Sequence, residues 1–283
     1  MSIHLGASVL LFMATFCCSP LIVKGQEDLN KYWVLFADKN DSDFDPYSYF
    51  DIKAIERRLR SNIPINHISD WPVNRNYIET VAALTEQTHH ESRWFNAVAV
   101  LANTEQLLTL KNLKFVKEII GMSSISYPAS LNKTKKNNYG TYLSESDLKL
   151  MKKQTERMGG HLFEEKNIKG KGIRVAIFDA GFPTVDVNPA FEHIRTNNRI
   201  LHTKDFLTGR ENVYKNSAHG TNVLSCVAGI IEGERIGMAT EAEFLLARTE
   251  SGVYEPYSEE ENWLAASEWA DKNGADIISS SLG

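Results

Sequence analysis

Two side chains in this sequence have the type, spacing and surroundings that suit general acid–base chemistry: Asp179 and His219. Asp179 closes the apolar run Ile173-Arg174-Val175-Ala176-Ile177-Phe178 and is followed by Ala180-Gly181. A run of that kind reads as a strand buried on both faces of a parallel sheet, so its last residue stands at the carboxyl edge, where such sheets place their active sites. Taken alone, Asp-Ala-Gly is an ordinary turn. The second motif changes that reading. His219-Gly220-Thr221-Asn222 opens a stretch of small and apolar residues, Val223 to Ile230, that must form a tightly packed helix. An imidazole at a helix N-terminus meets the positive end of the helix dipole, which disfavours imidazolium and suits a general base. A strand-end carboxylate forty residues upstream is placed to orient it.

Other reactive residue types carry less. Cys226 lies seven residues after His219 and shares a helix with Val, Leu and Ala, which predicts core filler rather than a reactive thiol. His89 and His90 are adjacent and so point in different directions, which predicts a solvated loop rather than a metal pair. No cofactor motif is identifiable, and structural calcium is left open. Gly170-Lys171-Gly172 precedes its strand, whereas a dinucleotide-binding cradle must follow one.

The elements that must hold these residues fall into two groups. From Ser146 to Met158 the spacing predicts a helix. After the strand ending at Asp179 come a loop, the helical segment within Asn216–Gly229, a strand Glu243–Arg248, an amphipathic helix Glu259–Asn273 and a strand Ala275–Ser281. Strands alternating with helices predict a doubly wound α/β domain. Upstream, Tyr32–Ala37, Ser92–Leu101 and Lys114–Ile120 read as strands, with helices at Tyr49–Arg60 and Thr104–Leu113. That order predicts a small α/β sandwich with its helices on one face. Tyr127 to Gly140, rich in Asn and Lys, reads as an exposed linker.

In order along the chain, I-R-V-A-I-F-D-A-G, A-H-G-T-N-V, R-I-G-M-A-T-E-A-E-F and A-D-I-I-S-S-S-L-G resemble the Asp box, the His box, the segment after it and the substrate-binding strand of the subtilases, the subtilisin-like serine peptidases. The order Asp before His is theirs as well. R-T-E at 248–250 and E-E-E-N-W at 259–263 resemble the secreted members from Bacteroidetes-type bacteria. E-R-R-L-R at 56–60, D-W-P-V at 70–73 and S-R-W-F-N-A-V at 92–98 resemble their inhibitor-like propeptide. The resemblance implies a partial subtilisin-like doubly wound parallel sheet over residues 139–283, preceded by a propeptide domain at 26–126 and a linker at 127–138. It makes Asp179 the carboxylate that orients the imidazole and His219 the general base and later general acid. It makes Ser281, Leu282 and Gly283 part of the strand that binds an extended polypeptide substrate, with the chain's own propeptide as intramolecular inhibitor. Asn222 stands where the family commonly has a second His. The family's nucleophilic serine, in a G-T-S box, and its oxyanion-hole Asn are expected beyond Gly283, because no G-T-S and no G-x-S-x-G occurs here. The chain as it stands is therefore expected to be an inactive fragment of a serine endopeptidase. The alternative is a secreted, non-catalytic protein that binds a peptidase as inhibitor or folding assistant.

Composition narrows the class further. The 283 residues are 42% hydrophobic and 24% charged, as in ordinary globular chains. The net charge of −5, with the acidic excess lying wholly past residue 138, argues against a nucleic-acid partner. Leu5 to Val23 is apolar, broken by Pro20 and followed by a polar chain from Gln26, which reads as a secretory signal peptide at residues 1–25. Its removal would leave a secreted, cell-surface or periplasmic product with no stable membrane span. Cys17 and Cys18 would leave with the signal and Cys226 would remain alone, which excludes a disulfide framework.

Overall fold

The computed structural model describes residues 28–122, 126–128, 144–251, 254–256 and 259–281. The segment expected to be a signal at 1–25, most of the expected linker at 127–138, and Leu282 and Gly283 lie outside the described residues.

The upstream part holds β1 (Asn30–Phe36), α1 (Pro46–Tyr49), α2 (Ile52–Arg60), α3 (Arg75–Leu84), β2 (Gln87–Ser92), β3 (Ala97–Ala102), α4 (Thr104–Lys111) and β4 (Val116–Gly121). The four strands form an antiparallel sheet in the order β2-β3-β1-β4. Alternation places Val34 and Phe36 of β1 with Val98, Val100 and Ala102 of β3 on one face, against Ile78 and Val81 of α3 and Leu110 of α4. The expected sandwich is present, but three sequence expectations need correction. The single strand Ser92–Leu101 is two strands, because Asn96 adopts φ 51° and its amide donates to Phe36 O and Asp38 O, closing a turn. Helix α3 was not anticipated. His89 and His90 lie in strand β2, half-buried, and not in a solvated loop.

The downstream part begins with α5 (Glu145–Arg157) and α6 (Gly160–Glu165) and continues through β6 (Arg174–Asp179), α7 (Glu192–Thr196), β7 (Ile200–Asp205), α8 (His219–Ala228), the short hairpin β8 (Ile230–Ile231) and β9 (Glu234–Arg235), and β10 (Glu243–Arg248). After β10 come α9 (Glu260–Lys272) and β12 (Ile277–Ser280), with β11 (Tyr254–Pro256) between. Strands β12-β6-β10-β7 make an all-parallel sheet. Alternate residues of β6 feed two cores. Val175 and Ile177 join Leu224 and Ala228 of α8, while Ala176 and Phe178 join Ala266 and Ala270 of α9. Helices thus cover both faces, as the doubly wound reading expected, and every residue of β6 is buried. The segment read as a loop between Gly181 and Asn216 contains β7, a sheet-edge strand whose polar His202, Thr203 and Lys204 hide the signal.

The two parts meet along α9. Its carboxylates Glu261, Glu268 and Asp271 face β2, α2 and the turn after β2. Glu261 accepts from Lys31 Nζ at 2.8 Å and from the His90 N–H at 3.2 Å. Glu268 accepts from Ser92 Oγ at 2.6 Å and from the N–H groups of Arg93 and Trp94 at 3.1 and 3.2 Å. Asp271 pairs with Arg57, with Arg58 at 2.8 Å and with Arg93 at 2.7 Å. A second joint forms where β5 (Ser126–Pro128) pairs antiparallel with β11, setting Tyr127 opposite Glu255.

Candidate active site

Strand β6 ends at Asp179 with its carboxylate fully buried. Asp179 Oδ1 accepts the Ala180 N–H at 2.7 Å, and the chain must then turn sharply away from the sheet. Gly181 makes that turn with φ 142°, where a side chain would collide with the carbonyl of Lys215. The turn brings Gly181 back onto the entrance to α8, and an isolated bridge ties Gly181 to Asn216.

His219 is the first residue of α8. Its N–H donates to Ser217 Oγ at 3.2 Å, which serves an orphan donor of the helix start. The helix can come this close to β6 because its second residue is Gly220. A Cβ there would collide with the Gly181 carbonyl and lie 2.8 Å from the Phe182 ring and 2.9 Å from Asp179 Cβ. Thr221 Oγ1 donates to Pro183 O at 2.7 Å and fixes the helix roll. The outcome is a close contact between the two expected residues, with His219 Nδ1 3.0 Å from each carboxylate oxygen of Asp179. The ring is 42% exposed while the carboxylate is closed off, so the imidazole edge away from Nδ1 faces outward.

Burial pushes the Asp179 carboxyl above its ordinary value, against the opposing pull of the Ala180 N–H, His219 and a Ser281 hydroxyl hydrogen bond. Ser281, expected on the substrate strand, therefore also touches the carboxylate, while its N–H reaches Phe178 O at 3.5 Å. Leu282 and Gly283 fall outside the described residues. Cys226 corrects the core-filler expectation: its side chain is exposed on α8, because the helix buries the face carrying Gly220, Thr221, Leu224 and Ala228 instead.

The sequence reading missed two neighbours. Arg248, directly across from Asp179 in the sheet, donates to Ala180 O at 3.3 Å and pairs with Asp205 at 3.1 Å. Glu250, two residues on, is buried beside the pair. Oxygens of Asp179 and Glu250 and a ring nitrogen of His219 all lie within 4.8 Å of one another. These residues stand on a strand end that neighbours β6 in register, and only the pairing of β10 with β6 reveals them. A cation would have to compete with Asp179 for the imidazole, so the chemistry that the arrangement favours is proton transfer by an oriented histidine.

Two family models match parts of the chain. Residues 170–283 match the family model described as the subtilase family, and residues 31–141 match the peptidase S8 propeptide domain of Bacteroidota. No curated protein matches the chain. Among solved structures, fervidolysin from Fervidobacterium pennivorans, a keratinolytic enzyme related to subtilisin, is 14% identical with a TM-score of 0.47, covering 90% of this chain and 36% of its own. The epidermin leader peptide processing serine protease of Staphylococcus aureus is 13% identical with a TM-score of 0.48, covering 90% of this chain and 50% of its own. The MycP3 protease of the type VII (ESX-3) secretion system is 19% identical with a TM-score of 0.35, covering 55% and 40%. The chain therefore spans between about a third and a half of the length of these structures.

Proposed function

Since this chain belongs to the subtilase family, with a Bacteroidota-type S8 propeptide domain ahead of its peptidase segment, we propose that it is the signal, propeptide and first catalytic part of a secreted serine endopeptidase. The observation that carries the reading is the 3.0 Å contact between His219 Nδ1 and the buried Asp179 carboxylate at the carboxyl edge of the parallel sheet. In this mechanism Asp179 fixes the ring with Nδ1 protonated. His219 Nε2 takes the proton from a serine hydroxyl as it attacks the scissile carbonyl, then returns it to the leaving amine. The serine and the oxyanion-hole donor come from sequence beyond Gly283, and residues 1–283 alone hydrolyse nothing.

The substrate is an extended polypeptide that adds to the site as a strand, with Ser281, Leu282 and Gly283 on one side. The antiparallel pairing of β11 with β5, which runs from the last propeptide residue into the linker, supports the same mode for the end of the chain's own propeptide. The boundaries proposed are a signal at 1–25, a propeptide at 26–126, a linker at 127–138 and a peptidase segment from 139.

The test is to express the protein through its downstream reading frame and assay a peptide substrate. His219→Ala and Asp179→Asn should each reduce kcat about 10⁴-fold or more. Turnover within tenfold of the unaltered enzyme in His219→Ala would overturn the assignment.

A further inference from the structure

Helix α2 carries the E-R-R-L-R motif, to which the mechanism above gives no part. Its basic residues Lys53, Arg57 and Arg60 recur at i, i+4 and i+7 and so share one stripe. That stripe lies on the link from Asp271 to Asp276, which leads from the end of α9 into β12. The Asp51 N–H donates to Lys272 O at 2.9 Å, and Arg57 donates to Ala275 O and pairs with Asp271. Lys53 Nζ stands 3.0 Å from the Asp276 carboxylate and donates at 2.6 Å to Gly172 O, just ahead of β6. Arg60 reaches Asp276 at 3.4 Å. Such close seating needs Gly274, which adopts φ 71° and where a Cβ would lie 2.9 Å from Ala54 N and 3.0 Å from Lys53 Cβ. From the β6 side, Arg174 donates to Asn273 O, and its N–H donates to the Asp276 carboxylate at 2.9 Å. The Asp276 carboxyl lies below its ordinary value: burial opposes this, and the Arg174 N–H, Lys53 and Arg60 outweigh it.

Strand β12 itself is lightly held. It stands at the end of the sheet order, pairs only with β6 among the described residues, and leaves Ile277 52% and Ile278 39% exposed. Two neighbouring exposed isoleucines give no alternation that could fix a register, so the turn that feeds the strand must fix it. We propose that α2 is a distinct docking element of the upstream part, which grips the Asp271–Asp276 link and thereby holds β12 in register on β6. Ser281 follows β12 and hydrogen-bonds Asp179, so the grip extends to the edge of the catalytic pair. Its consequence for catalysis rests on the peptidase reading: α2 orders the strand leading into the substrate-binding residues from behind, away from the segment that pairs with β11.

The test needs no turnover. In the 283-residue chain, amide hydrogen exchange is compared at 277–281 and at 244–247 of β10 in the unaltered protein, in Lys53→Ala with Arg57→Ala, and in Lys53→Arg with Arg57→Lys. Exchange at 277–281 should quicken about tenfold in the alanine pair while β10 keeps its protection, as expected for lost bonds to charged groups. The pair that keeps both charges should retain most of the protection. Unchanged exchange at 277–281 in the folded alanine pair, or an equal quickening in β10, would overturn the proposal. Should the alanine pair not fold, the unaltered chain in low urea decides. Loss of protection at 277–281 in one step with α2 supports the grip, and a β12 that stays protected after α2 has opened contradicts it. A failed peptidase assignment would leave this exchange pattern in place, so the two ideas fail separately.

Discussion

At the scale of single residues, the centre depends on atoms that are missing as much as on those present. Gly220 lets α8 approach β6 closely enough for His219 to meet Asp179. Gly220→Ala should cost about 1–3 kcal/mol by overpacking and separate the pair, read by urea unfolding and by loss of the Nδ1 resonance. Full retention of that resonance would show that the approach is not limiting. Asp179 illustrates the opposite trade. Its folded-state pKa is raised by burial, so the proton is bound more tightly in the folded chain. Stability is then highest where the group is protonated and falls as pH rises from the unfolded value through the folded one. Asp179→Asn should therefore melt at a higher temperature than the unaltered chain at neutral pH, a stability gain taken at the expense of function. The pair was legible in sequence because the apolar run before Asp179 and the small-residue helix after His219 dictate where each stands. Glu250 was not, because its place depends on which strand lies beside β6.

Among the elements, α9 joins the two parts of the chain. Glu268 takes three hydrogen bonds from the end of β2 and the turn after it, and Arg93 beside it is 5% exposed. Glu268→Ala should cost about 3 kcal/mol, because it strands the Ser92 hydroxyl and two N–H groups and leaves the buried Arg93 guanidinium with Asp271 as its remaining close carboxylate, and the loss should show as earlier unfolding of the upstream part. His89 gives the same joint a pH response. Burial holds its imidazole below the ordinary value, outweighing the upward pull of Glu261, while Lys31 and His90 add to the lowering. Its Nε2 has no hydrogen-bond partner among the described residues. The stability tied to the neutral ring is full above the unfolded value of 6.5 and is lost as pH falls below it. The urea midpoint should fall more between pH 7.5 and 5.5 in the unaltered chain than in His89→Gln, and equal falls would contradict this. These contacts explain what pattern reading missed. β2 is only half-buried and meets α9 through polar groups that answer its acids, so Gln87–Ser92 shows no apolar alternation. β6, buried by two layers of hydrocarbon, was plain in sequence.

For the molecule as a whole, both described parts are organised around one helix and one strand end, with the upstream sheet braced on α9 and its last segment paired to β11. No helix among the described residues is long and apolar enough to cross a membrane. If the apolar N-terminus is removed at export, intact-mass measurement on secreted material should find a start near Gln26, and a product beginning at Met1 would refute the signal reading. The central claim is that Asp179 and His219 activate a serine supplied downstream. Its most direct test is a fluorophosphonate probe on the protein expressed through its full reading frame, followed by peptide mapping. The account predicts one labelled serine beyond Gly283, with labelling abolished by His219→Ala and absent from residues 26–283 alone. Labelling of Ser279, Ser280 or Ser281, or labelling that survives His219→Ala, would contradict it.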